Sequence, residues 1–237
     1  MRRERGLAFL KTGQFDAAII DFDCPKYSLT KQRIILLAKA QALYDLQRFQ
    51  ECCDVLDALH NIFSKNQRSQ EHSIRVDTHL HWEKQNTKEH EKVAQEFLRR
   101  AKLRLEEQNT GRYNFEKMYN EAMEMKVPIL DHATFIGPVE VKQIPCHGRG
   151  HVTSRNVEAG ELLLCEKAFA YCCNASATDG QAGMNLGAGD LKSYLTRVII
   201  HKLSNNPSLI PKFTALWSGD YKSVPAELAD GVPVIDT

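Results

Sequence analysis

The chain has 237 residues with a formal net charge of +1, and 43% of its residues are hydrophobic and 26% charged. This balance is typical of a globular protein with one large domain or two ordinary ones. It argues against a global field that recruits nucleic acid, and the short apolar runs argue against a membrane span. Seven cysteines without disulfide-like spacing favour an intracellular compartment, cytoplasm or nucleus.

The composition of the chain changes near residue 126. Residues 1–126 are rich in Ala, Leu, Gln, Lys and Glu and contain a single proline, Pro25. Residues 127–237 contain the other prolines, many glycines and short β-branched runs, which favour strands and turns. We therefore predict an α+β fold with a helical domain over residues 1–126 and a β-rich domain over residues 127–237.

The helical domain contains an internal repeat with an offset of 34 residues, which aligns Phe9–Phe22 with Leu43–Leu56. Matching positions carry small, aromatic or apolar residues in both copies: Ala8 with Ala42, Phe15 with Phe49, Ala18 with Cys52, and Phe22 with Leu56. Thirty-four residues is the period of the tetratricopeptide repeat (TPR), a helix–turn–helix unit. The repeat predicts TPR-like helical hairpins, and two unrelated amphipathic hairpins are the alternative.

A third helix is predicted over Lys88–Gln108, because apolar residues recur there with helical spacing. The preceding segment, about residues 64–86, is polar and is predicted to be a linker or a solvated helix. It contains the histidines His72, His79 and His81, but their spacing matches no familiar metal-ligand pattern. We therefore expect no metal site there.

The β-rich domain begins with Pro138–Ile144, where apolar and polar residues alternate as in a half-buried strand. A glycine-bearing turn, Cys146–His151, a short strand, His151–Ser154, and a further strand, Glu161–Glu166, follow. These elements predict a small antiparallel meander of three strands.

The order of these motifs resembles the opening of a SET domain. That opening has a basic-Gly-Arg-Gly turn, here His147-Gly148-Arg149-Gly150, then Gly160-Glu161 and an apolar strand, here Leu162–Cys165. Two positions depart from the family pattern, because His151 replaces an apolar residue and Thr153 replaces a frequent alanine. A β-meander of another origin is the alternative.

The segment that follows resembles the helical insert of SMYD-like SET proteins, over about residues 189–221. The expected helix has a row of apolar residues, Asn205-Asn206-Pro207 ends it, and Phe213, Leu216 and Trp217 should continue the buried face. The arrangement as a whole resembles fungal TPR-plus-SET proteins, and the resemblance covers most of the chain except the polar segment.

The resemblance implies transfer of a methyl group from S-adenosylmethionine to a lysine of a protein substrate. It also implies that His147, Gly148, Arg149 and Gly150 contact the methionine end of this cofactor. An arginine suits that role because its planar fork can bind a carboxylate bidentately. Zinc is not expected, because Cys172-Cys173 is not part of a Cys-x-x-Cys pair.

In the family, catalysis depends on a later Asn-His-x-Cys segment and a tyrosine, which align the lysine amine with the methyl group. No Asn-His pair occurs in the 237 residues. The sequence is therefore predicted to contain an incomplete SET domain without its catalytic half, and to neither bind S-adenosylmethionine measurably nor methylate protein on its own. The alternatives are a TPR-type protein-interaction module and a plain α+β protein without either identity.

Overall fold

The computed structural model describes residues 2–23, 29–70, 78–125, 127, 129–172 and 188–216, with backbone alone for 29–31, 65–70, 78–88 and 188–190. The helices are α1 (Arg2–Lys11), α2 (Phe15–Phe22), α3 (Leu29–Asp45), α4 (Phe49–Gln70), α5 (Thr78–Thr110), α6 (Phe115–Glu124), α7 (Ala188–Asn205) and α8 (Ile210–Thr214). The strands are β1 (Phe135–Ile136), β2 (Val139–Ile144), β3 (Gly148–Thr153) and β4 (Leu164–Cys165). This mixture of helices and small antiparallel sheets confirms the α+β class.

The 34-residue repeat is present in the structure as two helical hairpins, α1–α2 and α3–α4. The turns of the two hairpins are closed by equivalent backbone hydrogen bonds. The amide of Gln14 donates to the carbonyl of Phe9 at 2.9 Å, and the amide of Arg48 donates to that of Leu43 at 2.8 Å. Each member of the second pair lies 34 residues after its equivalent, so the two turns have the same hydrogen-bonded design.

Both turns also need one residue with a left-handed backbone. Gly13 has φ of 75° in the first turn, and Gln47 has φ of 59° at the equivalent position of the second. Glycine adopts this conformation without the clash that a Cβ atom causes, whereas glutamine carries a steric cost. The second turn is therefore the more strained of the two.

Helix packing agrees with the repeat except at one predicted position. Ala42 is fully buried, but its partner Ala8 is exposed. The close approach between α1 and α2 occurs at Gly6 instead, where a Cβ atom would lie 2.7 Å from Cε1 of Phe22. The residue 34 positions after Gly6 is Ala40, which is fully buried. In α1 the small residue at the close approach thus lies two positions before the predicted one, whereas in α3 both Ala40 and Ala42 are buried.

Helix α5 is 33 residues long and packs along α4. Of the two interpretations of residues 64–86, a linker or a solvated helix, the structure agrees with the helix over most of the segment, because α4 continues to Gln70 and α5 begins at Thr78. The predicted histidine cluster lies outside the described side chains. No helix in the described ranges is long and apolar enough to cross a membrane.

The predicted three-stranded meander is also wrong, because the strands form two separate antiparallel pairs. Strand β2 pairs with β3, whereas β4 pairs with β1, with Phe135 opposite Cys165. After β3 the chain turns through a loop tied by an ion pair between Arg155 and Glu161. Because of this loop, β4 lies beside the short strand β1 and not beside the β2–β3 hairpin.

The insert-like segment forms α7, a 3-10 turn over Pro207–Leu209, and α8, and the helix break after Asn205 agrees with the prediction. Phe213 is half-buried, and its ring centre lies 5.4 Å from that of Phe169 in a tilted arrangement. Leu216, predicted to be buried, is 62% exposed because it lies beyond the last residue of α8. Trp217 lies outside the described residues.

Asn206 joins this segment to the first helical hairpin. The residue as a whole is only 2% exposed. Its Oδ1 accepts a hydrogen bond from the amide of Phe15 at 2.9 Å, and its Nδ2 donates to the carbonyl of Gly13 at 2.9 Å. Next to it, the amide and hydroxyl of Ser208 each donate to the carboxylate of Asp16 at 2.8 Å. The segment therefore caps the N-terminus of α2.

A second junction holds the chain between α6 and β1 against α5. Nδ1 of His132 lies 2.8 Å from Oε1 of Glu107, and its Nε2 lies 3.0 Å from Oε2 of Glu121. The other oxygen of the buried Glu107 accepts from the amide of Ala133 at 3.0 Å. The hydrogen bond to His132 lowers the pKa of Glu121, although partial burial opposes this. Both helices are thus bound to one imidazole.

Candidate functional site

A groove of about 540 Å³ lies between the β2–β3 hairpin, β4 and the end of α8. Its walls are largely aliphatic: Ile136, Val139, Val141, Leu164 and Leu216. The polar residues Glu140, Arg149, His151 and Glu166 also line it. The groove is therefore an open, mostly apolar depression with one arginine, one histidine and two carboxylates at its surface.

The glycines of the predicted cofactor turn have two different structural roles. Gly148 has φ of 77°, and an added Cβ atom would meet nothing within 4 Å, so the backbone conformation alone favours glycine there. At Gly150 a Cβ atom would lie 2.6 Å from Cδ1 of Ile144, so close packing excludes a side chain. Gly148 begins strand β3, and the turn itself is formed by residues 145–147.

The structure brings two of the four predicted cofactor-binding residues to the groove. Arg149 and Gly150 line it, and Nη2 of Arg149 donates to the carbonyl of Ala215 at 3.1 Å. His147 is exposed in the turn, with Nδ1 3.0 Å from the carbonyl of Pro145, and does not line the groove. Gly148 does not line the groove either.

A larger cavity, of about 740 Å³, lies between the two helical hairpins and α7. The cationic residues Lys167, Arg197 and Lys202 line it, together with the carboxylates of Asp45 and Asp131. We call it the hairpin–α7 cavity. Sequence reasoning missed it, although Tyr194, Arg197 and His201 recur on one helical face and offered a partial signal.

Lys202 is the most enclosed cation of the hairpin–α7 cavity. Its Nζ donates to the carbonyl of Phe169 at 2.7 Å and lies 4.6 Å from the centre of the Phe169 ring. Burial lowers the pKa of Lys202, and repulsion by the nearby Lys167 lowers it further. Two lysine ammonium groups are thus held near each other in partly desolvated surroundings.

The acidic residues of the cavity are Asp45, at the end of α3, and Asp131, in the loop before β1. The hydroxyl of Tyr44 donates to both oxygens of Asp131, at 2.9 and 2.8 Å, and burial together with this bond raises the pKa of Tyr44. Burial also raises the pKa of Asp45, while a hydrogen bond from Gln41 opposes that rise. Within the described residues, no group of three or more potential metal-ligating side chains is present.

Comparison with known proteins gives one informative relative. The chain is 31% identical, over 252 aligned positions, to a protein of Gibberella zeae named "Methyltransferase". The alignment covers 99% of this chain and 31% of the relative, so the chain spans about a third of the relative's length. No protein-family model matches the chain, and no solved structure does. The similarity includes both the helical and the β-rich regions.

Proposed function

We propose that this chain contains the front part of a SET-type, S-adenosylmethionine-dependent protein-lysine methyltransferase, preceded by TPR-like helical hairpins. The observation that carries this proposal is the similarity of 99% of the chain to a relative named "Methyltransferase". The 34-residue offset of the hairpin turns supports the TPR-like part. The Gly-Arg-Gly strand beside a groove supports the SET-like part.

The groove fits the methionine end of S-adenosylmethionine in part. Arg149 uses only Nη2 on a protein acceptor among the described residues, so its other guanidinium nitrogens are available to a carboxylate. Gly150 keeps the adjoining backbone free of a side chain, and Glu166 offers an anion for an ammonium group. His147 does not fit, because it lies outside the groove.

When bound, the cofactor would supply the methyl group, and Arg149 would hold and orient its carboxylate. The aliphatic walls of the groove would exclude water from part of the ligand. Alignment and deprotonation of a substrate lysine are not assigned to any residue, because the family's Asn-His segment does not occur in the chain. We therefore expect no methyl transfer by residues 1–237 alone.

The genomic sequence immediately downstream of the codon for Thr237 provides the first test. An in-frame Asn-His-x-Cys segment followed by a tyrosine would support the proposal. Its absence, or methyl transfer by residues 1–237 alone, would contradict it. The chain extended through that segment should transfer labelled methyl groups from S-adenosylmethionine to protein lysines.

Substitution then tests the groove in the extended chain. Arg149→Met should raise the Kd for S-adenosylmethionine about tenfold, because charge-assisted hydrogen bonds to a carboxylate are lost. Arg112→Met is the control, since the side chain of Arg112 is 80% exposed and lies outside the groove. Equal affinities of the two variants, measured by calorimetry, would exclude Arg149 as a cofactor ligand.

A protein-interaction module is the second candidate, because the helical region contains its own apolar core. In that case the whole chain should capture a partner, and Arg149→Met should leave the capture unchanged. Loss of partner binding in Arg149→Met would instead indicate that the partner binds at the groove.

A further inference from the structure

Helix α6 exposes a line of large apolar side chains to solvent. Phe115, Tyr119 and Met123 follow one another at intervals of four residues, and they are 54%, 66% and 70% exposed. Residues four apart on a helix lie on the same face, so these side chains form one line along α6, which we call the apolar row. Contiguous exposed apolar surface of this kind marks interaction sites.

The second helices of the two repeat hairpins bury the corresponding face. Like α6, both α2 and α4 begin with a phenylalanine directly after a turn that contains a left-handed residue. In α4 the residues that correspond to the start of the apolar row, Phe49 and Cys53, are 2% and 3% exposed and belong to the apolar core. The face that α4 packs inward is therefore turned outward in α6.

Contacts of its other faces hold α6 in this orientation. The side chain of Asn114 caps the helix by accepting from the amide of Lys117 at 2.9 Å, and Oε2 of Glu121 lies 3.0 Å from Nε2 of His132. Met118 lines a small depression of about 220 Å³ between α6 and the chain that follows β4. The residues of α6 that face the body of the chain are thus mostly polar, whereas the apolar row faces away from it.

An acidic row runs beside the apolar row. Glu116, Asn120 and Glu124 each follow a residue of the apolar row, so they form a second line that is turned by about 100° around the helix. All three side chains are exposed. The single lysine of α6, Lys117, lies 3.6 Å from the carboxylate of Glu121 and is directed at that residue instead of the acidic row.

The acidic row determines which occupant fits the apolar row. Packing of α6 on α6 of a second copy would bring two acidic rows together, and like charges repel. The same repulsion disfavours an anionic membrane surface. A helix with a line of aliphatic side chains beside a line of lysines or arginines would pack its ridge against the apolar row and place its cations opposite Glu116 and Glu124.

We propose that α6 docks a basic amphipathic helix of a partner protein, with the partner's aliphatic face on the apolar row and its cations beside the acidic row. The depression next to Met118 would receive one apolar side chain of the partner. This docking surface is separate from the groove at Arg149 and depends neither on cofactor binding nor on methyl transfer.

Three synthetic peptides of about 15 residues, a length at which an isolated helix is marginally stable, test the proposal with the full 237-residue chain. The basic peptide carries leucines on one helical face and lysines beside them. The acidic peptide has a glutamate in place of each lysine, and the shuffled peptide has the composition of the basic one without a continuous apolar face. In two-dimensional NMR titrations, the basic peptide should shift the amides of α6 saturably and bind about tenfold more tightly than either of the others.

Substitutions of exposed apolar side chains test the location of the surface. Tyr119→Ser and Met123→Ser should each weaken binding of the basic peptide about fivefold, because apolar contact area is lost. The matched control Ile20→Ser removes an apolar side chain of α2 that is 72% exposed, and the Kd of this variant should not change. All three changes are at solvent-exposed positions, where substitution has little effect on folding.

A further substitution tests the charge of the partner. Glu116→Gln should weaken binding of the basic peptide about threefold and reduce the salt dependence of the Kd, because one attractive charge is lost. The matched control Glu89→Gln changes an exposed carboxylate of α5 and should leave the Kd and its salt dependence unchanged.

Four results would overturn the proposal. Three come from the titrations: no saturable shift of α6 by the basic peptide, equal affinity for the acidic or the shuffled peptide, or equal weakening by Ile20→Ser. The fourth is a dimer in sedimentation velocity that Tyr119→Ser converts to a monomer, because a second copy of the chain would then cover the apolar row.

Discussion

The helical region and the β-rich region of this chain differ in how much of their apolar surface is buried. Apart from Ala133, all buried apolar residues of the described chain lie between Ala18 and Ala101. From residue 134 onward, Asn206 is the only described residue that is buried, and it is polar. Strand residues such as Ile136 and Val141 remain 62% and 51% exposed.

This difference shows that the two regions are stabilised in different ways. The helical region buries two apolar clusters, and the burial of apolar surface is the dominant favourable term in folding. The β-rich region instead is joined to the first hairpin through hydrogen bonds of Asn206 and Ser208. It is joined to α5, α6 and the turn between them through hydrogen bonds of His132 and Tyr113. Its position should therefore depend on polar contacts more than on a core of its own.

The largest effect is expected from truncation in the helical core. Leu59 in α4 is fully buried, so Leu59→Ala should lower the free energy of unfolding by about 2–5 kcal/mol. The matched change Leu164→Ala in β4, where the side chain is partly exposed, should cost less than about 1 kcal/mol. Urea unfolding measures both. Equal losses would mean that the β-rich region has a core as important as that of the helices.

The next effect concerns the junction at Asn206. Asn206→Ala removes the acceptor of the Phe15 amide and should destabilise the chain by about 1–3 kcal/mol. Hydrogen exchange at Phe15 should accelerate. The control is Asn205→Ala, because the Asn205 side chain reaches the carbonyl of Thr12 only at 3.4 Å. Unchanged exchange at Phe15 in Asn206→Ala would contradict the capping role.

A smaller contribution to the stability of the fold comes from an ion pair in the first hairpin and should be lost at acidic pH. Nε and Nη2 of Arg5 donate to the carboxylate of the buried Asp21, and these bonds lower the pKa of Asp21 from its usual value of 3.8. A carboxyl with a lowered pKa stabilises the fold above its unfolded-state pKa and loses this contribution as the pH falls through its folded-state pKa.

The stability of the parent chain should therefore drop as the pH falls below about 4, and Asp21→Asn should reduce the slope of that drop. Asp57→Asn, at an exposed carboxylate, is the control. Denaturant unfolding at a series of acidic pH values measures the slopes. Identical slopes for the Asp21→Asn variant and the parent would show that the Arg5–Asp21 pair does not stabilise the fold.

The smallest effect compares the two repeat turns. Gln47→Gly should stabilise the chain by about 0.5–1 kcal/mol, because glycine adopts the positive φ of the second turn without strain. Gly13→Ala should destabilise it by about 1 kcal/mol in the first turn. Denaturant unfolding measures both changes. If both substitutions raised the free energy of unfolding, or both lowered it, the two turns would not be equivalent in energy.

The repeat could be predicted because its signals are local and recur at a fixed offset. Phe49 and Leu56 are buried, as their place in the pattern predicts. The pairing of β4 with β1 could not be predicted, because it involves two residues from each strand and depends on contacts far away in sequence. For the same reason, the Gly-Arg-Gly turn was found but the separation of His147 from the groove was not.

The hairpin–α7 cavity was missed because its polar residues are dispersed along the chain. Asp45 is the last residue of α3, Asp131 lies in a loop, and Lys167 and Arg197 are 30 positions apart in the sequence. No short motif contains them. Only the docking of α7 against the hairpins brings these charges together.

The contact between Asn206 and Phe15 also has a consequence for the order of folding. The two residues are separated by 191 positions, so their hydrogen bond closes a very long loop, and the entropy of closure rises with loop length. During synthesis the first hairpin leaves the ribosome long before residue 206 is made. We therefore expect the N-terminus of α2 to stay uncapped in the nascent chain and to acquire its cap in one of the last steps of folding.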